Sequence, residues 1–128
     1  MVNSKQKGLR TEREAAQLLT ELGWPARRTQ QYQGAGSDGD IVIDTAPGLH
    51  IECKSRDRLA LYKWLDQAMR DSMGKRLPVV MCKADRKPWL IMVEVQRLVE
   101  FLDTMMEARR GESKERQDVV GRTEASDD

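Results

Sequence analysis

Two carboxylates and an ammonium, Asp40, Glu52 and Lys54, sit at the ends of two adjoining apolar runs. The first run is Gly39-Asp40-Ile41-Val42-Ile43-Asp44. The second, after Pro47-Gly48, is Leu49-His50-Ile51-Glu52-Cys53-Lys54. In an extended strand, residues two apart share a face, so Glu52 and Lys54 point one way and Cys53 the other. A Pro-Gly turn folds the first run back on the second and brings Asp40 toward Glu52 and Lys54. Paired carboxylates hold a hard divalent cation through oxygen. An adjacent ammonium orients a water and offsets developing negative charge. Together these groups suit metal-assisted hydrolysis of a phosphodiester.

The elements that must place these residues follow from hydrophobic periodicity. Thr11 to Leu22 reads as a helix with Ala15, Leu18, Leu19 and Leu22 on one stripe, stopped at Gly23-Trp24-Pro25. Ala26 to Tyr32 reads as a polar, arginine-rich strand, and residues 33–39 as a loop with three glycines. Asp40 to Thr45 and Leu49 to Ser55 form the hairpin. Leu59 to Met73 is a second amphipathic helix, Leu77 to Ala84 and Trp89 to Val95 are strands, and Val95 to Ala108 is a third helix. The order is α-β-β-β-α-β-β-α. A helix between the third and fourth strands implies a parallel crossover in a mixed five-stranded sheet, hence an α/β fold.

A chain of 128 residues suits one domain, expected over residues 1–108, with a charged, disordered or frayed tail over 109–128. No run of eighteen apolar residues suggests a membrane span, and the polar first residues do not read as a signal peptide. Cys53 and Cys82 read as buried thiols, which fits a cytoplasmic setting. The net charge of +1 hides an asymmetry: residues 1–87 carry +5 and the remainder −4. A cation bound at the acids would make the working surface more basic still, as a nucleic-acid partner requires.

The Gly39-Asp40…Glu52-x-Lys54 pattern, in this element order, resembles the PD-(D/E)XK nuclease superfamily, with Gly39 where the motif name has proline. Lys7-Gly8-Leu9-Arg10-Thr11-Glu12-Arg13-Glu14 and the later Gly23-Trp24 leading to Arg27-Arg28 resemble archaeal Holliday junction resolvases. The likeness runs over roughly residues 5 to 100. It implies a restriction-endonuclease-like fold and a Mg2+-dependent endodeoxyribonuclease, with Mn2+ able to substitute. It further implies a homodimer that nicks branched or duplex DNA, most specifically four-way junctions, in a prokaryotic or phage-infected cytoplasm. Other members of the superfamily, acting in repair, restriction or phage DNA processing, share the same catalytic residues. A DNA-binding protein that does not cut is the remaining alternative.

On this reading Glu12, Asp40 and Glu52 are metal ligands, joined by the backbone carbonyl of Cys53, and Lys54 is catalytic. Ser37 of the Gly-Ser loop assists. Lys5, Lys7, Arg10, Arg13, Arg27, Arg28, Arg56 and Arg58 are expected to contact DNA phosphates. Glu12 also reads as a first-turn helix acid behind a Thr11 cap. His50 reads as a strand-end residue and not as a ligand or general base. Gln67 is a peripheral candidate on the second helix. Tyr62, Trp64 and Trp89 read as core or dimer contacts.

Overall fold

The computed structural model describes residues 4–29 and 39–109. Helix α1 spans Ser4–Glu21 and is followed by β1 (Ala26–Arg28), β2 (Ile41–Ile43) and β3 (Leu49–Arg56). Helix α2 (Leu61–Ser72) leads to β4 (Leu77–Ala84) and β5 (Leu90–Met92). A 3-10 turn, Val95–Arg97, runs directly into α3, residues 98–109.

The five strands lie in the sheet in chain order. β1/β2, β2/β3 and β4/β5 are antiparallel, and β3/β4 is parallel. The expected crossover is therefore made by α2. Parallel strands cannot be joined by a tight turn, and a helix spans the return. Among strands, β3 and β4 have the longest shared register, with Glu52 opposite Val80 and Lys54 opposite Cys82.

Strand alternation divides the core in two. Leu49, Ile51 and Cys53 of β3 join Leu77, Val79 and Met81 of β4 against Ala15, Ala16 and Leu19 of α1 and Phe101 and Met105 of α3. Val80 and Cys82 face the other way, onto Trp64 and Ala68 of α2. Each large apolar side chain buried in this way contributes roughly 1.5–3 kcal/mol. The result is three layers, with the even-numbered positions of β3 left on the α2 side. His50, Glu52 and Lys54 occupy those positions.

Several boundaries differ from expectation. Helix α1 begins at Ser4, because Lys5, Gln6 and Lys7 favour helix and Gly8 interrupts nothing it packs against. Glu12 is thus deep within a helix, and Thr11, 8% exposed, is no cap. The first strand is described only as Ala26–Arg28, and its expected continuation past Thr29 lies outside the described residues. The β2–β3 connection is wider than a Pro-Gly turn. Ala46 is buried, donates its N–H to the Ile43 carbonyl and accepts one from Leu49. Trp64 is core and Trp89 packs against the larger cluster, whereas Tyr62 is 82% exposed and belongs to no core. Both cysteines are buried and free.

Candidate active site

Asp40 is placed by backbone geometry. Gly39 has φ +92°, and a Cβ there would collide with the Ile51 carbonyl. The chain turns sharply at this glycine and bridges to Ile51. The Asp40 N–H then donates to the Ile51 carbonyl at 2.7 Å. Thr29 Oγ1 donates to the Gly39 carbonyl at 2.8 Å and fixes the same corner from β1. Asp40 Oδ2 in turn accepts the backbone N–H of Cys53 at 2.8 Å. One carboxylate oxygen is thereby anchored to β3, between Glu52 and Lys54. Proline, locked near φ −65°, cannot adopt this turn. The departure from the motif's proline has that physical reason.

Glu52 is 3% exposed, and its Oε1 lies 2.7 Å from His50 Nε2. His50 has no exposed surface at all. His50 is the second residue of β3, near the strand end as expected; two positions apart on one strand, it and Glu52 share a face and meet. Asp71 of α2 completes the group, with its carboxylate, His50 and Glu52 all offering donor atoms within 4.8 Å of one another.

A cleft of about 310 Å3 opens over these groups. Asp40, Glu52, Cys53 and Lys54 line it from the sheet, Glu12 from α1, and Gln67 with Asp71 from α2. The structure therefore gathers Glu12, Asp40, Glu52, Cys53 and Lys54 with Gln67, the peripheral candidate on the second helix, and adds Asp71. Helical spacing explains the pair, since Gln67 and Asp71 are four apart on one face of α2. No local motif marks either residue.

Burial, followed by the charge of Glu52, raises the Asp40 carboxyl to about 7 from its ordinary 3.8. Burial also opposes ionisation of Glu52, but hydrogen bonds from His50 and Asp40 outweigh it and leave Glu52 lowered. Glu12 is raised, chiefly by burial, with Arg28 opposing and Glu52 adding. The Cys53 thiol is pushed well up by burial and then by the surrounding acids, and it stays protonated. Its Sγ contacts the Thr11 carbonyl at 3.7 Å, on the α1 side.

Crowded acids of this kind either share a proton or take a cation. Glu12, Asp40 and Glu52 present oxygens to an open cleft, which suits a hard divalent ion. The tighter His50–Glu52–Asp71 group is a different matter. His50 Nε2 already faces Glu52 Oε1 at hydrogen-bonding distance in a fully buried position. Its geometry is that of a residue that orients the Glu52 carboxylate.

The basic residues scatter. Arg28 stands 3.8 Å from Glu12, and Arg27 pairs with Asp44 at 3.1 Å, so both face carboxylates. Arg56 lines the carboxylate cleft, while Lys7 and Arg10 line a neighbouring one. Lys5, Arg13 and Arg58 are exposed. Ser37 lies outside the described residues.

Among curated proteins and among solved structures, nothing matches this chain. A family model does match, over residues 3–122, a span that takes in α1, the sheet and the whole carboxylate cleft. The chain accordingly belongs to the family described as phage putative PDDEXK endonuclease, within the PD-(D/E)XK nucleases.

Proposed function

We propose that the protein is a divalent-metal-dependent endodeoxyribonuclease selective for DNA structure, and that its preferred substrate is a four-way junction. The observation that carries the catalytic part is the convergence of Glu12, Asp40, Glu52 and Lys54 on one cleft. Nucleases of this superfamily generally use divalent metals. Glu12, Asp40, Glu52 and the Cys53 carbonyl would hold Mg2+, or Mn2+ in its place. The bound ion supplies Lewis-acid polarisation of the scissile phosphate.

The chain's own groups do the rest. Asp40 is fixed by the Cys53 N–H, and Glu52 by His50, so neither carboxylate must reorganise as charge develops. Lys54 reaches the cleft from the same strand face as Glu52. Its ammonium positions the attacking water and balances the charge on the pentavalent phosphorus. The water oxygen bonds to phosphorus and gives up a proton to solvent, the P–O3′ bond breaks, and the departing 3′ oxygen takes a proton from solvent. A 3′ hydroxyl and a 5′ phosphate remain.

Support for junction selectivity comes from the Lys7-to-Glu14 segment, which resembles junction resolvases. A homodimer with two such clefts would nick a two-fold junction symmetrically. Residues 1–108 would form the nuclease domain, acting in a host cytoplasm. The family match favours a second reading, a phage endonuclease that processes other DNA with the same residues. A panel of junction, flap, duplex and single-stranded DNA with Mg2+ separates the two. Paired nicks confined to the junction support the first reading. Nicking of duplex or flap with the junction uncut removes it.

A further inference from the structure

A second cleft, of about 370 Å3, opens beside the carboxylate one and shares Thr11 and Ser55 with it. Lys7 and Arg10 reach it from α1, Lys83 from the end of β4, and Arg86 from the β4–β5 turn. Local structure assembles this set. Lys7, Arg10 and Glu14 fall at three- and four-residue spacing on one helical face. The parallel register puts Lys83 beside Ser55. The turn is pinned by the Asp85 N–H, which donates to the Arg56 carbonyl at 3.0 Å, and Arg86 takes a left-handed φ of 64°.

The two clefts are opposite in charge. The first gathers Glu12, Asp40, Glu52 and Asp71 against Lys54 and Arg56. The second sets four cations against Glu14 and Asp85. Lys7 makes a long pair with Asp85, at 3.9 Å. Lys83 Nζ sits 5.8 Å above the Trp89 ring. Among the described residues, Arg10, Lys83 and Arg86 are in no ion pair with a carboxylate.

We infer that this second cleft binds a backbone phosphate next to the scissile one on the same DNA strand, with Arg10, Lys83 and Arg86 as its donors. The inference rests on the nuclease reading and joins Arg10, an expected phosphate contact, to Lys83 and Arg86, which no sequence motif marks. A strand with one phosphate over Asp40 and Glu52 runs past Thr11 and Ser55 into these cations. The cleft contributes attraction and register, because phosphate contacts position a nucleic acid without reading its bases.

The test pairs Lys83→Gln/Arg86→Gln with Lys75→Gln, an exposed cation outside the cleft. Binding to a fluorescent four-way junction and to a linear duplex is measured without divalent ions across a salt series. The double variant should bind about tenfold more weakly at low salt, with a salt slope smaller by about 1, and Lys75→Gln should match wild type. With Mg2+, single methylphosphonate linkages are then placed on either side of the cut. One linkage should slow wild type and leave the double variant's rate unchanged. An unaltered salt slope, or neutral linkages that slow both proteins alike, overturns the inference. If wild type cuts no DNA with Mg2+ or Mn2+, the nuclease reading falls, and the binding comparison still decides the phosphate site.

Discussion

Asp40, Glu52 and His50 hold one another in a chain of contacts, and each should respond differently to substitution. Lys54→Met should lower kcat by about a hundredfold or more, because it removes the group that handles the attacking water. His50→Leu should leave Glu52 unsupported and weaken Mg2+ affinity by about 10–100-fold, so that more Mg2+ is needed for half-maximal cleavage. His50→Gln, which can still offer an N–H to Glu52 Oε1, should recover part of that loss. A Mg2+ titration of the cleavage rate checks both, and equal behaviour of the two variants would show that His50 only fills space. Asp40 also makes stability pH-dependent. Its folded value of about 7 lies above its ordinary 3.8. The protonated form therefore favours the folded state, fully below about pH 4, and that contribution is lost as pH rises through 7. A bound cation replaces the proton, so Mg2+ should raise Tm more at pH 8 than at pH 6. Thermal melts at the two pH values measure this, and an equal shift at both would contradict it.

Asp40 and Glu52-x-Lys54 could be read from the sequence because strand alternation is local: apolar Ile51 and Cys53 alternate with the charged pair, and burial follows that period. The parallel β3–α2–β4 unit was readable for the same reason, as was β4, which spans the expected Leu77–Ala84. The partners of Glu52 were not. His50 alternates correctly with Glu52, but a lone histidine on an apolar strand carries no signal of what it meets. Asp71 reaches the site only through the packing of α2 on β3 and β4, a long-range event with no local trace. The start of α1 was missed because Ser4 to Arg10 has helix-forming residues without an apolar stripe. Gly39 gives these elements their prediction. Restoring the motif's proline, Gly39→Pro, should cost roughly 3 kcal/mol or more and remove activity, because the +92° turn is closed to it. Gly39→Ala should be harmful too, through the Ile51 carbonyl. Urea unfolding alongside cleavage assays reports both effects, and a Gly39→Pro protein that is stable and active would refute this account of the turn.

Across the whole molecule, one cleft concentrates acid and an adjoining one concentrates base, and the net charge of +1 conceals both. The apolar faces of the sheet are each covered by helix, and none of the described helices is long and apolar enough to cross a membrane. Burial raises Asp40 and Glu12 in the acidic cleft, while His50 and Asp40 keep Glu52 lowered; on the proposed reading a cation would take the proton's place there and the basic cleft would hold the adjoining phosphate. On the proposed reading, Asp40, Glu52 and Lys54 form a metal-dependent phosphodiester-cleaving centre. The most direct measurement is cleavage of labelled four-way junction and duplex DNA by wild type and Asp40→Asn, each with Mg2+ and with EDTA. Wild type should cut in Mg2+ and not in EDTA, leaving 5′ phosphates, with Asp40→Asn folded, DNA-bound and inert. Cutting that survives EDTA or Asp40→Asn, or a wild type inert with both Mg2+ and Mn2+, would contradict that reading.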